Sequence, residues 1–294
     1  MRKLELKWGI ILALPAILGF LIWNLGPMIA AFVIGFTDWS IAGTPNFVGL
    51  ANYKEIFFED FIAKKSIFVT FYFAIGSVVV SMITAFLTAL LLNQKVRALP
   101  LFRTIFFLPS IVPAIANAVV WLWLFNPDFG LLNYILEVFG LSKLQWIYDE
   151  HQVIPSLILM SAWGMGYTMM IFLAGLQGIP QQLYEAVAID GGNWWHKFRH
   201  VTIPMMTPTI FFNLVMGLIS SFQAFAQPFL MTEGGPNYAS MFYCYYIYKN
   251  AFDYGRMGYA SALSTILFLI ILVLTFLIFK TSSYWVYYEG GRSR

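Results

Sequence analysis

Six stretches of this chain run for more than twenty residues each without an Asp, Glu, Lys or Arg: Gly9–Ile34, Phe68–Leu92, Thr104–Phe125, Val153–Gln177, Pro208–Met231 and Tyr259–Phe279. About 20 apolar residues in helical geometry cross the hydrocarbon core of a bilayer. Inside lipid every backbone polar group must be satisfied within the segment, so each stretch is expected to be a helix. The expectation is therefore an all-α, polytopic membrane protein with six transmembrane helices. Pro15, Pro27, Pro109, Pro113 and Pro228 lie in or near these runs, and each removes a backbone hydrogen bond and is expected to kink its helix.

Composition closes off the other fold classes. The chain of 294 residues is 60% hydrophobic and 11% charged, against about 45–50% and about 25% for soluble domains. Too few charges remain to coat a water-exposed surface or to keep a chain disordered. A mean hydropathy of +0.74 also exceeds what the alternating strands of a β-barrel reach. The first apolar run is far longer than the roughly 7–15 residues of a signal peptide, so it reads as a retained helix. The single cysteine, Cys244, allows no intrachain disulfide.

Lys and Arg in the connecting segments set the orientation. With the N-terminus inside, the inner segments hold Arg2, Lys3, Lys7, Lys95, Arg97, Arg103, Lys197, Arg199, Lys280, Arg292 and Arg294, eleven in all, and the outer segments hold six. Acidic residues divide four inside to ten outside. Both termini are expected in the cytoplasm, with outer loops at 36–67, 126–152 and 232–258. The linear organisation reads as an N-terminal helix and first outer loop over 1–67, a core domain of five transmembrane helices over 68–280, and a short cytoplasmic tail over 281–294.

Motifs for chemistry are missing from the sequence. It has no G-x-x-x-x-G-K-[ST] phosphate loop. Gly164 and Gly166 form G-x-G without the third glycine, and in mid-membrane they read as a close helix contact. His151, His196 and His200 lack metal-ligand spacing, and Lys197 stands where a zinc motif on His196 would need Glu. No catalytic residue, metal site or cofactor is expected on the chain, which reads as no enzyme. Proton- and voltage-driven machines carry ionisable residues within their spans. A chain whose spans hold no carboxylate or cation is either driven from outside itself or passive.

The inner loop 178–207 has a shape of its own. Pro180 suits a helix start, and Leu183, Ala186, Val187 and Ile189 give a short apolar face. Asp190-Gly191 signals a turn, Asn193 can cap a second helix from Trp194, and Pro204 is expected to end it. This predicts a helix–turn–helix shaped to enter a cleft on a partner.

Within that loop, Glu185-Ala186-Val187-Ala188-Ile189-Asp190-Gly191-Gly192 with Ile203-Pro204 resembles the EAA motif of the permease subunits of binding-protein-dependent ABC importers. Phe36-Thr37-Asp38-Trp39, Phe47–Tyr53, Phe129–Asn133, Phe172–Gln177, Gly234-Gly235-Pro236 and Gly258–Ala262 extend the likeness over nearly the whole chain. They are similar to the first permease subunit of maltose-type carbohydrate importers. The tail from Tyr284 differs from the glycine-rich end usual in the second subunit. The resemblance implies a type I ABC importer transmembrane domain in a bacterial or archaeal cytoplasmic membrane. Its implied partners are a second permease, two ATPase subunits that hold ATP and Mg, and an extracytoplasmic solute-binding protein. By the same resemblance Glu185 would face a basic residue of the ATPase, Ala186 would pack closely, and Asp190 and Gly191 would form the turn at the contact. Two positions depart from the family, Val187 and Gly192, where Ala is usual. Val187 is expected to add bulk to the packed face and Gly192 to loosen the turn.

The resemblance also implies solute binding near mid-membrane. Polar and aromatic residues at that depth are Ser81, Thr84, Asn117, Trp121, Trp163, Tyr167, Ser220 and Gln223; with Asn213 and Gln227 of the fifth span, the path is placed on Asn117, Trp163, Tyr167, Asn213, Ser220, Gln223 and Gln227. Asn213, Ser220 and Gln227 recur every seven residues and Gln223 follows Ser220 by three, so a continuous helix would set all four on one face. Such a stripe serves as a solute path or as interhelical glue. Without Lys or Arg at that depth, a neutral oligosaccharide suits the path better than an anion. The competing class is a secondary transporter or channel acting alone on a small polar solute.

Overall fold

A computed structural model describes residues 2–94 and 97–287, with side chains from Trp8 onward. The side chains of Arg2, Lys3 and Lys7, together with Lys95, Arg292, Arg294 and the tail 288–294, lie outside the described residues, so part of the charge asymmetry has no structural counterpart here. The described residues are helical apart from their loops and an isolated antiparallel bridge between Thr37 and Phe47. Contacts gather the chain into two compact units, Met1–Lys64 with Tyr246–Leu269, and Lys65–Tyr245 with Ile270–Arg294.

Four helices are long and apolar enough to span a bilayer unbroken: Trp8–Ile34, Phe61–Leu92, Trp194–Phe222 and Met257–Trp285. The third and fourth expected spans are instead bent pairs, which brings the number to six if each pair counts once. Leu99–Ile111 and Ala114–Leu124 meet at 98°, and Val153–Ser161 and Gly166–Gln177 meet at 43°. The single continuous helices expected at Thr104–Phe125 and Val153–Gln177 are thus corrected. At the first break Pro113 lacks an N–H and forces Val112 before it into extended backbone, φ −69° and ψ 129°. At the second, the turn 162–165 tightens to hydrogen bonds three residues back, from Ala162 to Leu159 and from Trp163 to Met160.

The fifth span is shifted as well. It runs from Trp194 to Phe222 rather than from Pro208 to Met231, and Pro204 does not end the loop's second helix. A π turn over Phe198–Thr202 precedes the proline, closed by Ile203 N–H on the Phe198 carbonyl. The same device precedes Pro27, where Gly26 N–H reaches Leu21 across the π turn Leu21–Leu25. The extra residue widens the backbone just where the proline ring would crowd the preceding turn.

In the first unit three of the motif stretches meet. Buried Asn52 donates to the carbonyls of Gly35 at 2.9 Å and Thr37 at 2.8 Å. Gly258 N–H binds the Trp39 carbonyl, and a Cβ on Gly258 would strike the Thr37 carbonyl. Asp38 accepts from both the backbone and the side chain of Asn46, which holds its carboxyl below the usual carboxylate range. The second unit is organised on a core of Ala85, Ala89, Met169, Phe172, Leu176 and Met206 with their neighbours. Small residues on Phe61–Leu92 let the large side chains of Gly166–Gln177 approach closely.

Candidate functional site

The loop 178–207 forms the helix Gln181–Ile189, a turn, and a second helix that starts at Trp194 and continues into the fifth span. Asn193 caps it, its side chain accepting the His196 N–H at 3.1 Å. Gly191 sits at φ +77° with open space around it, a conformation that suits glycine. The inner side of the first helix is Tyr184 and Val187, both packed on the core. Tyr184 and Thr202 share a hydroxyl–hydroxyl hydrogen bond of 3.1 Å. Of the expected apolar face, Val187 packs on the core, while Ala186 is exposed and Ile189 is 86% exposed, so those two face away from the chain's own core. Glu185, Ala186, Asp190 and Gly191 all lie on this open surface, and Glu185 has no ion pair among the described residues.

The two departures at Val187 and Gly192 are one feature. A Cβ at position 192 would lie 2.5 Å from Val187 Cγ1 and 2.8 Å from the Val187 carbonyl. That carbonyl accepts the Gly192 N–H at 2.8 Å. The valine fills the space an alanine at 192 would need, so Gly192 tightens the turn against Val187 rather than loosening it.

The second unit also holds a cavity of about 780 Å³, within the range of small-molecule sites. Six of the seven nominated path residues line it: Asn117, Tyr167, Asn213, Ser220, Gln223 and Gln227. Trp163 does not, and instead meets Trp121 edge-on at 6.2 Å. The reason for the grouping differs from the one read in the sequence. The fifth-span helix stops at Phe222, with Gln223 as its cap, so no helical face carries Gln223 and Gln227. The break at 223–225 brings them to the cavity, Gln223 at its start and Gln227 on the helix that follows, with Phe225 between them on the same wall.

Hydrogen bonding divides the lining into occupied and open groups. Ser77, Ser161 and Ser221 donate back to carbonyls of their own helices, and Asn213 donates to Thr209 at 3.0 Å. The side chains of Asn117, Tyr167, Gln223 and Gln227 make no hydrogen bond among the described residues, which leaves their amide and hydroxyl groups open at the cavity wall. Among the described residues, no Asp, Glu, Lys, Arg or His lines the cavity. Phe73, Ser77 and Ser81 also line it. Their spacing of four on one helix was a periodic signal that a depth estimate from span centres caught only at Ser81.

The walls are fixed where the two broken spans cross. A Cβ on Gly166 would strike Ser110 Oγ and lie 3.1 Å from Phe107 Cα. Ser110 donates to the Gly164 carbonyl at 3.4 Å, and Phe107 meets Tyr167 edge-on at 5.2 Å. The close contact expected of the G-x-G pair belongs to Gly166, while Gly164 has open space around it and borders the cavity.

Helices with broken spans, a cavity lined by uncharged polar, aromatic and aliphatic side chains, and an exposed helix–turn–helix are, among the described residues, the features of a membrane permease. This chain belongs to the binding-protein-dependent transport system inner membrane component family, whose model matches residues 81–283. It is 39% identical over 280 residues to the probable ABC transporter permease protein YesP of Bacillus subtilis (strain 168), covering 94% of this chain and 90% of that one. It is 30% identical over 285 residues, 95% of each chain, to the trehalose/maltose transport system permease protein MalF of Thermococcus litoralis. Its fold matches a chain of the bacterial alginate ABC transporter in complex with an alginate pentasaccharide-bound periplasmic protein. That match has a TM-score of 0.80 and 22% identity over 95% of both chains.

Proposed function

We propose that this permease passes a neutral carbohydrate through its cavity, as one membrane subunit of an ATP-driven importer. The observation that carries the substrate reading is the lining, in which free amide and hydroxyl groups stand beside Phe73, Tyr167 and Phe225 and, among the described residues, no acidic or basic side chain appears. Sugar hydroxyls exchange hydrogen bonds with such groups, and their C–H faces stack on aromatic rings. An anionic solute would leave its charge without a partner in a site of low polarity. The relative whose name carries trehalose and maltose supports a carbohydrate, whereas the structural neighbour's alginate is acidic.

The coupling element is the exposed surface of Glu185, Ala186, Asp190, Gly191 and Ile189. It offers a carboxylate beside a small apolar patch on a helix whose inner side is anchored in the core. ATP and Mg are held by two partner ATPase subunits, and a second permease completes the membrane pair. An extracytoplasmic binding protein delivers the solute, and both termini lie in the cytoplasm. Nucleotide-driven movement of the ATPases pulls on this surface and opens the cavity to one side of the membrane or the other. Membership in a binding-protein-dependent family speaks against a transporter or channel acting alone.

The test is co-purification in detergent with the neighbouring subunits co-expressed. Wild type is expected to retain an ATPase, and the double variant Glu185→Lys, Gly191→Trp to lose it while keeping the second permease. A double variant that keeps its ATPase would remove the coupling role from this surface. Uptake of labelled neutral oligosaccharides, competed by acidic ones, tests the solute class.

A further inference from the structure

The helix Leu131–Val138, in the loop between the third and fourth spans, turns an apolar face outward that no part of its own unit covers. Leu131, Tyr134, Ile135, Val138 and the capping Phe139 are 42%, 64%, 42%, 66% and 76% exposed. Their spacing of i, i+3, i+4, i+7 and i+8 places them on one stripe at about 100° per residue. Asn133 lies on the opposite side and is 1% exposed.

This orientation is built rather than incidental. The Asn133 amide donates to the carbonyls of Pro127 and Leu144, both at 2.9 Å. Its oxygen accepts the Leu144 N–H at 3.1 Å and the Trp146 indole N–H at 2.8 Å. Two donors and two acceptor positions are the full capacity of an amide side chain, so the helix is pinned on its polar side. At its N-terminal approach the Asn126 side chain accepts from Asp128 and Phe129, and a Cβ on Gly130 would lie 2.6 Å from the Leu124 carbonyl. At its C-terminal end Gly140, at φ +72°, donates to Glu137 while Leu141 donates to Leu136. That pairing is a Schellman motif. The hydrophilic flank carries the Glu137–Lys143 ion pair at 3.3 Å.

We infer that this helix lies in the headgroup–acyl boundary of the outer leaflet, with its apolar stripe in lipid. Two observations select lipid over a protein partner. Ala114–Leu124, the segment of the third span that precedes the helix, also turns apolar side chains outward, with Ile115, Val119 and Trp123 67%, 60% and 51% exposed. The chain also leaves that segment at Leu124 and reaches the helix after six residues folded into a tight turn, which keeps it close to the membrane surface. A pinned amphipathic helix with aromatic residues on its apolar face is the form that binds such a boundary. There it would hold the outer ends of the two broken spans at a fixed depth while the cavity between them changes shape. The inference rests on the reading that 126–152 is extracytoplasmic.

Nitroxide labels test it in the full chain, purified with the subunits it retains and reconstituted in nanodiscs of phosphatidylethanolamine and phosphatidylglycerol. The background is Cys244→Ser, and Val138→Cys, Glu137→Cys and Ile115→Cys are each labelled. Collision with oxygen is expected to exceed collision with a water-soluble nickel chelate at 138, and the order is expected to reverse at 137. A label at 138 as open to the chelate as the one at 137 overturns the inference, and so does one shielded from both reagents, which would mean that protein covers the stripe. The label at 115 separates the two levels of the argument. Oxygen dominance at 115 without it at 138 sinks the interfacial helix alone, while its absence at 115 sinks the membrane placement of the third span. Fluorescence-detected gel filtration of each variant verifies that the fold is intact.

Discussion

Tyr246 donates its hydroxyl to Asp60 at 2.6 Å, and Tyr259 donates to the same carboxylate oxygen. The other oxygen accepts the Ala63 N–H at 2.9 Å and so caps the helix Phe61–Leu92. Arg256 stands over the Tyr259 ring and pairs with Glu55 at 2.6 Å. One carboxylate thereby joins three segments of the first unit. Hydrogen bonds to a charged group contribute about 1.5–3 kcal/mol each. Asp60→Asn is expected to lower the thermal midpoint in detergent clearly more than Tyr246→Phe, which removes one of the three. Equal midpoints for the two variants would show that the carboxylate is not the hub.

The same contact sets a dependence on pH. Burial, and then the hydrogen bond to Asp60, pushes the Tyr246 hydroxyl above its ordinary value. The neutral phenol is therefore favoured in the folded state, and its contribution is fully present below the unfolded value of about 10 and is lost as pH rises beyond it. Thermal midpoints of wild type are expected to fall more steeply above pH 10 than those of Tyr246→Phe. Parallel slopes would refute the linkage.

Val187 and Gly192 predict a coupled pair. Gly192→Ala places a methyl against Val187 Cγ1 and the Val187 carbonyl, and overpacking of this kind costs about 1–3 kcal/mol. Val187→Ala in the same chain removes the first collision and leaves the second, so it should recover part of the loss. A double-mutant cycle read by thermal midpoint and ATPase retention should give a favourable coupling energy of about 0.5–1.5 kcal/mol. Additive effects would mean that the two departures from the family are independent.

The free amides of the cavity predict graded transport defects. Gln223→Leu and Asn117→Leu each remove the chance of a solute hydrogen bond of about 1 kcal/mol, which corresponds to roughly a fivefold rise in the solute concentration for half-maximal uptake. Trp163→Leu is expected to change that concentration little, because Trp163 packs on Trp121 outside the lining. Uptake assays with the delivering binding protein held saturating separate these outcomes. An unchanged half-maximal concentration in both amide variants would take the solute path away from this cavity.

What the sequence made legible followed from properties that act locally. Uninterrupted apolar runs fell on the four long helices and the two bent pairs, with the fifth displaced toward the C-terminus, because lipid excludes charge along the whole run. Asp190-Gly191 and Asn193 gave the turn and cap of the loop, because their backbone preferences need no distant partner. Pro109 and Pro113 signalled an interruption but carried no information about a bend of 98°, which depends on what the second half packs against. Which apolar residues of the loop turn inward was hidden for the same reason: Val187 packs on the core and Ile189 does not, and only their neighbours tell them apart. Gln223 and Gln227 were nominated from a continuous helix that ends at Phe222, and they reach the cavity through a break that periodicity cannot encode.

The crossing of the broken spans supplies the last prediction. Gly166 leaves no room for a side chain against Ser110 and Phe107, at the junction where both helices change direction beside the cavity. Gly166→Ala should push the two breaks apart at a cost of about 1–3 kcal/mol. Ser110→Gly would remove the Ser110 atoms that collide, and leave the 3.1 Å approach to Phe107 Cα. The double variant is therefore expected to regain most of the thermal midpoint. It is not expected to regain full uptake, because Ser110→Gly also deletes the hydroxyl bond to the Gly164 carbonyl that ties one break to the other. Recovery of both midpoint and uptake would show that the contact matters for packing alone. Recovery of the midpoint with a persistent transport defect would assign the Ser110–Gly164 tie to the movement of the cavity walls.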